Sequence, residues 1–246
     1  NEGLLCYDGQ FWALYPLPNR TIARSVAIGG DQRVYVGGQD ELGYFSPGPS
    51  GRLTYRSLTQ LIPAKFRSFG DVWDIISYKN EIWLRTSASI LKFSGEAFAV
   101  YTAASEWSYM GICNNRLYAQ DLDRGLMLFE NNAWRPVLAS NPLPKNDVVT
   151  GLLEGQGEKM MVAMQKSGLF WLDKQTLLPL SSPLTRQLKL DRVYTTARID
   201  DTRLALGTSN GGVYIIDNEA RLVQRFSSKE GLQNNNVLSI LADRDE

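Results

Sequence analysis

Short apolar runs led by a small residue return along this chain at a nearly constant spacing. They occupy residues 3–7, 43–45, 89–93, 125–129, 168–172 and 212–216, led by Gly3, Gly43, Ser89, Gly125, Gly168 and Gly212, and successive copies start 36 to 46 residues apart. A unit of about 40 to 45 residues carrying four short strands is the repeat of a β-propeller blade. The unit ending near Phe226 is the clearest. An inner strand at 193–199 meets a turn at Asp200-Asp201, and a second strand follows at 203–208. The polar loop Ser209-Asn210-Gly211 then supplies residues that tolerate positive φ, before a third strand at 212–216 and an outer strand at 221–226. The outer strand mixes charged and apolar residues, as an edge requires, whereas middle strands covered by neighbouring blades are apolar on both faces.

The same layout places second strands at 34–38, 82–86, 117–120 and 161–164. Turn residues precede them at 30–32, 79–80, 114–115 and 155–157. The predicted fold is therefore all-β, a β-propeller of four-stranded antiparallel blades. It has five full repeats, at about 19–57, 72–103, 107–139, 147–182 and 193–227, and partial repeats at 1–18 and 234–246, all in a single propeller segment spanning 1–246. Residues 3–16 supply the third and fourth strands of one blade, and 236–242 the first strand of another. Either the two ends close as a seam blade or the chain is a segment of a longer propeller, and the second reading is favoured. Segment 57–71 reads as the one long connection, with Leu58, Leu61 and Ile62 making a helical turn that ends near Pro63.

Composition narrows the function. Lys plus Arg and Asp plus Glu both number 26, so the formal charge is zero. That argues against a general nucleic-acid or anionic-membrane surface, each of which needs concentrated positive charge. No run approaches the roughly 18 to 20 apolar residues that span a bilayer. With no histidine in the chain, the Ser-His-Asp and Cys-His nucleophile systems are excluded and the commonest transition-metal ligand is missing. No catalytic residue, metal or cofactor is expected. Cys6 and Cys113 lie too many strands apart for a disulfide and read as buried thiols. The Gly155-Gln156-Gly157 run is followed by a strand rather than a helix, which makes it a turn and not a phosphate loop. Asp121-x-Asp123-x-Gly125 lacks the remaining ligands of a calcium loop and reads as turn chemistry.

Residues 229–245 contain Gly231-Leu232, Asn236-Val237 and Ile240-x-x-Asp243, which resemble the two-component regulator propeller repeat. Gly207-Thr208 and Gly37-Gly38 match the strand ending of that repeat in earlier blades. Over nearly the whole chain, stretches 34–45 and 69–75 also resemble the ligand-binding sensor regions of Bacteroidetes-type hybrid two-component or helix-turn-helix regulators. The resemblance implies a non-catalytic, periplasmic sensor portion of a membrane-anchored regulator. In that family an immunoglobulin-like domain, a membrane span and an output region follow the propellers.

In a propeller, the loops joining second to third strands and those joining one blade to the next reach one face. Ligand pockets with convergent polar groups belong there. The candidate ligand-binding residues on that face are Arg20, Asp40, Trp73, Arg85, Trp107, Tyr109, Gln120 and Gln165. Aromatic faces cover sugar-like rings, and amides or guanidinium groups fix hydroxyls and carboxylates. The competing reading for any one Trp at the head of an inner strand is packing between blades. The expected partner is a small molecule or oligosaccharide, with a homodimer of the parent protein as a further expectation. The alternative function is a structural propeller for protein–protein interaction or dimerisation.

Overall fold

The structure is a computed structural model and describes residues 2–138, 143–155 and 159–242. It contains five four-stranded antiparallel sheets and one two-stranded sheet, and within each sheet strands pair in sequence order. The chain divides into two compact units, residues 1–110 and 111–246. In the first, β1 (Gly3–Tyr7) pairs with β2 (Trp12–Pro16). The blade β3 (Ser25–Ile28), β4 (Val34–Gly37), β5 (Leu42–Pro47) and β6 (Leu53–Ser57) follows, and then β7 (Asp74–Tyr78), β8 (Glu81–Arg85), β9 (Ser89–Phe93) and β10 (Phe98–Thr102).

The third blade starts with β11 (Trp107–Cys113) and continues in the second unit as β12 (Arg116–Asp121), β13 (Gly125–Glu130) and β14 (Ala133–Pro136). Next come β15 (Val149–Glu154), β16 (Met160–Met164), β17 (Gly168–Asp173) and β18 (Thr176–Pro179). The last blade is β19 (Val193–Arg198), β20 (Arg203–Thr208), β21 (Val213–Asp217) and β22 (Leu222–Phe226).

Burial follows strand position. All of β16 and five of six residues of β20 are buried, whereas β22 is exposed in four of its five residues. The paired positive φ values at Lys79-Asn80, Asn114-Asn115 and Asn131-Asn132 are those of tight two-residue hairpin turns, in which Asn is favoured. Gly125, Gly168 and Gly212 head their strands at φ near +80°, which explains the small residue at the front of the repeating apolar run.

Three expectations change. Leu58 and Ile62 are buried, but the short 3₁₀ turn Thr59–Leu61 leaves Leu61 exposed, and a second turn, Ala64–Phe66, follows Pro63. A helix, α1 (Pro183–Asp191), fills a second long connection that periodicity did not reveal. Its start is nevertheless spelled in the sequence: the Ser182 side chain accepts the Thr185 N–H and Pro183 occupies the first helical position. Leu188 on α1 is fully buried among Leu169, Leu206 and Tyr214, so tertiary packing holds this nine-residue element. Residues 236–242 carry no strand; Val237 N–H donates to Thr208 C=O instead. A first strand is defined by pairing with the second strand of its own blade, and 236–242 have no such partner among the described residues. Asp243 and the Gln156-Gly157 part of the turn at 155–157 lie outside the described residues.

Successive blades are joined by hydrogen bonds from the end of one second strand to the head of the next first strand. Gly38 C=O accepts Val72 N–H at 3.0 Å and Ser87 C=O accepts Trp107 N–H at 2.8 Å. The buried Gln120 amide accepts Val149 N–H at 2.7 Å and donates to Asp147 C=O at 3.1 Å. Between β15 and β19 the Thr196 side chain packs so closely on the backbone at Gly151 that a Cβ there would lie 2.0 Å from Thr196 Oγ1. At the opposite strand ends, Glu154 accepts Asn114 N–H at 2.9 Å and pairs with Arg198 at 3.6 Å, so one carboxylate ties three blades together.

Three outcomes follow for folding. Gly212→Ala places a Cβ 2.0 Å from Phe226 C=O at φ +83°, and urea denaturation should show a loss of at least ~2 kcal/mol. Gly51→Ala, at φ +77° with open space around it, should cost only about 1 kcal/mol. Gln120→Ala strands two backbone groups and should cost about 2 to 4 kcal/mol, against less than about 0.5 kcal/mol for Gln165→Ala; equal losses in the two would refute the joint. Both cysteines are free, with Cys6 only half-buried. Burial, helped by Glu154, pushes the Cys113 thiol up to about 12. A disulfide-exchange reagent at about pH 8 should therefore label Cys6 in the native protein and Cys113 only on unfolding.

Candidate functional site

Most of the loops expected to carry ligand contacts are spent on the joints between blades. Asp40 Oδ1 accepts Phe69 N–H at 2.8 Å and Gly70 N–H at 2.7 Å, pinning the 57–71 connection. Glu41 beside it is buried and receives the hydroxyls of Tyr55, Ser57 and Thr59. Arg85, 9% exposed, donates from Nε to Asp74 at 2.5 Å and from Nη1 to Trp107 C=O at 2.8 Å. Trp107 is wholly buried and its indole N–H reaches Tyr101 C=O at 3.0 Å. Gln120 is 2% exposed and bonded to both Val149 N–H and Asp147 C=O. A buried amide or guanidinium with its hydrogen bonds already made has nothing to offer a solute without breaking the joint. Trp107, Arg85 and Gln120 are therefore committed to packing and joining the blades, whereas Asp40 is exposed.

The rest of the expected set stays accessible. Trp73 is 44% exposed, with the Arg24 guanidinium 5.5 Å from its ring centroid. Arg24 also pairs with Asp71 at 3.1 Å. Arg20 is exposed in the adjoining loop, whose Asn19 Nδ2 donates to Gln39 C=O at 2.9 Å, while Thr21 Oγ1 accepts Gln39 N–H at 3.3 Å. Gln39 in turn bridges Asp71. These contacts bring loops 19–21, 39–41 and 70–73 together within the first unit. The result is an exposed indole flanked by a guanidinium and a carboxylate, a small platform suited to a polar ring. Arg24 and Asp71 complete it, and the sequence reading omitted Arg24 because it precedes its strand with no local motif. Tyr109 is half-buried in the first unit. Gln165 is half-buried in the second, where its N–H donates to Val148 C=O at 2.9 Å.

The other acidic features resolve as turn chemistry. Asp121 accepts Asp123 and Arg124 N–H and pairs with the Arg124 guanidinium at 2.9 Å. Asp147 caps the loop at Lys166 and Ser167. Hydrogen bonds from Thr202 N–H and Arg203 hold the Asp200 carboxyl well below the usual carboxylate range. No group of three metal-ligating side chains occurs among the described residues, and no helix there is long and apolar enough to cross a membrane.

No family model and no curated relative matches the sequence. Among solved structures, the chain is similar to an extracellular domain of BT4673 from B. thetaiotaomicron, described once as a hybrid two component system and once as a one component system. In the first of these the TM-score is 0.72 at 17% identity, and all of this chain is covered. The chain spans 34% of the length of that relative. It is also similar to the WD40 β-propeller domain of Doa1, with TM-score 0.63 at 13% identity over 87% of this chain and 70% of that one. A virginiamycin B lyase from Staphylococcus aureus gives TM-score 0.65 at 13% identity over 90% and 76%. At such identities the likeness is one of fold, and it agrees with the sheet topology: the chain is built as a β-propeller.

Proposed function

We propose that this chain is a non-catalytic sensor module of a bacterial signal-transduction or transcription regulator. It lies in the periplasm or outside the cell and binds a small polar solute, a carbohydrate by preference, on the platform around Trp73. The observation that carries the reading is the coincidence of two independent likenesses. The repeat at 229–243 has the residues of the regulator propeller pattern, and the whole chain superposes on an extracellular domain of a bacterial signalling protein. The platform supports it chemically: an indole face covers the apolar face of a sugar ring, while Arg20, Arg24 and Asp71 offer donors and acceptors to its hydroxyls. Binding would bias a downstream two-state element by its differential affinity for the two states. Propeller folds also host lyases, so absence of turnover is part of the test.

A second reading, docking of another protein or a second copy, is favoured by one feature. Leu5, Tyr7, Phe11, Trp12 and Leu14 on the β1–β2 sheet are all more than half exposed, a larger apolar surface than scattered exposed residues make.

A thermal-shift screen against mono- and oligosaccharides separates the readings. A true ligand at a hundred times its Kd should stabilise a protein of this size by roughly 5 to 10 °C. Trp73→Ala should abolish the shift without changing the melting temperature of the free protein by more than a degree or two. A panel that produces no shift, together with self-association in dilute solution, would overturn the sensor reading in favour of docking.

A further inference from the structure

A groove of the second unit lies away from the loops considered above, at the strand ends that carry the hairpin turns of β11–β14 and β15–β18. Its volume is about 660 Å³, the size of a pocket for a small organic molecule. The floor is apolar: Leu128 from β13 and Pro136 and Val137 at the end of β14 line it, over the buried Met160, Leu172 and Tyr118. The rim is basic. Arg116 at the head of β12, Arg135 in β14 and Lys174 in the β17–β18 turn face one carboxylate, Glu130.

Glu130 Oε1 is 3.2 Å from Arg116 Nη2 and so neutralises that guanidinium. Among the described residues neither Arg135 nor Lys174 has an ion-pair partner, which leaves the rim with two uncompensated positive charges above a hydrocarbon floor. A sugar fits this poorly, because the one aromatic ring in the lining, Tyr118, is 3% exposed and presents no free face for stacking. Exposed cations contribute little in water. An apolar body lying on Leu128, Pro136 and Val137 would displace that water, and the attraction of a carboxylate for the Arg135 fork would rise as the local dielectric falls.

We propose that this groove binds a small amphipathic carboxylic acid, with its hydrocarbon or aryl body on Leu128, Pro136 and Val137 beside Met160 and its carboxylate between Arg135 and Lys174. The site goes beyond the sensor reading and is independent of it, since no residue of the Trp73 platform takes part. Glu130 sets its strength: by holding Arg116 and adding a negative charge to the rim, it opposes the acid.

The test uses 4-phenylbutyrate and its neutral amide as probes. Binding is followed by the methyl signals of methionine, with the fully buried Met161 and Met164 as internal controls. A ligand of this size is expected to bind at about millimolar Kd. The acid should shift the Met160 methyl and the amide should do so at least about fivefold more weakly. The R135Q/K174Q double variant should weaken the acid about tenfold and leave the amide unchanged. E130Q should tighten the acid severalfold, an outcome that loss of folding cannot imitate. W73A should leave all of this unaltered. Equal binding of acid and amide, no Met160 response at roughly tenfold the expected Kd, or an unchanged affinity in E130Q and R135Q/K174Q would each overturn the proposal.

Discussion

A four-stranded sheet in this chain cannot finish its own hydrogen bonding at the loop that leaves its second strand, and the structure depends on how the next sheet receives it. Gly38 to Val72, Ser87 to Trp107, the Gln120 amide to Val149 and Thr208 to Val237 are four versions of one contact. In each, a backbone or amide oxygen at a second-strand end accepts an N–H of the segment that follows the blade, at the head of the next inner strand in the first three and in strandless chain at Val237. Buried away from water, an unmade bond of this kind costs more than a made one contributes. The contact therefore fixes which segment follows which, and at what register, more than it adds net stability. Apolar packing supplies the bulk of that stability: the fully buried β16, and the cluster of Tyr35, Leu42, Val72, Leu84 and Leu91 in the first unit.

This constraint shapes where chemistry can occur. Polar residues in the joining loops are numerous, but Arg85 and Gln120 are consumed by the joints themselves, and Glu41 and Asp147 by bonds within their own blades. Solutes are left with what the joints do not use. In the first unit that is the half-exposed Trp73 with Arg24 and Asp71, and in the second a basic-rimmed groove at the turn end of the strands. The two places differ in chemistry, one an aromatic face with mixed charge and the other a hydrocarbon floor under cations. They would accordingly select different ligands.

The repeat spacing, the four strands per unit, the Asn-rich hairpin turns and the glycines at the head of the last three third strands were all legible, because each follows from local backbone geometry that residue type dictates. Even the turn role of Asp121 and Asp200 followed from their position. The helix 183–191 was not read, although Ser182-Pro183 announces it, because nine residues give too little periodicity to compete with a strand pattern on either side. The candidate site was half legible. Trp73 and Arg20 sit where loop placement put them, but Trp107 and Gln120 carry the same residue types in the same kind of loop and are buried.

The sequence by itself determined the architecture, since strand length, turn chemistry and repeat period are properties of neighbouring residues. Only the tertiary structure decided which polar side chains are free to meet a solute. That depends on how closely the backbone of the next blade approaches. At Gln120 it comes within hydrogen-bond reach and claims the amide, whereas at Trp73 nothing covers nearly half of the ring. Distance between segments far apart in the chain is not a property of any one of them, and burial, which turns a binding group into a structural one, follows from that distance alone.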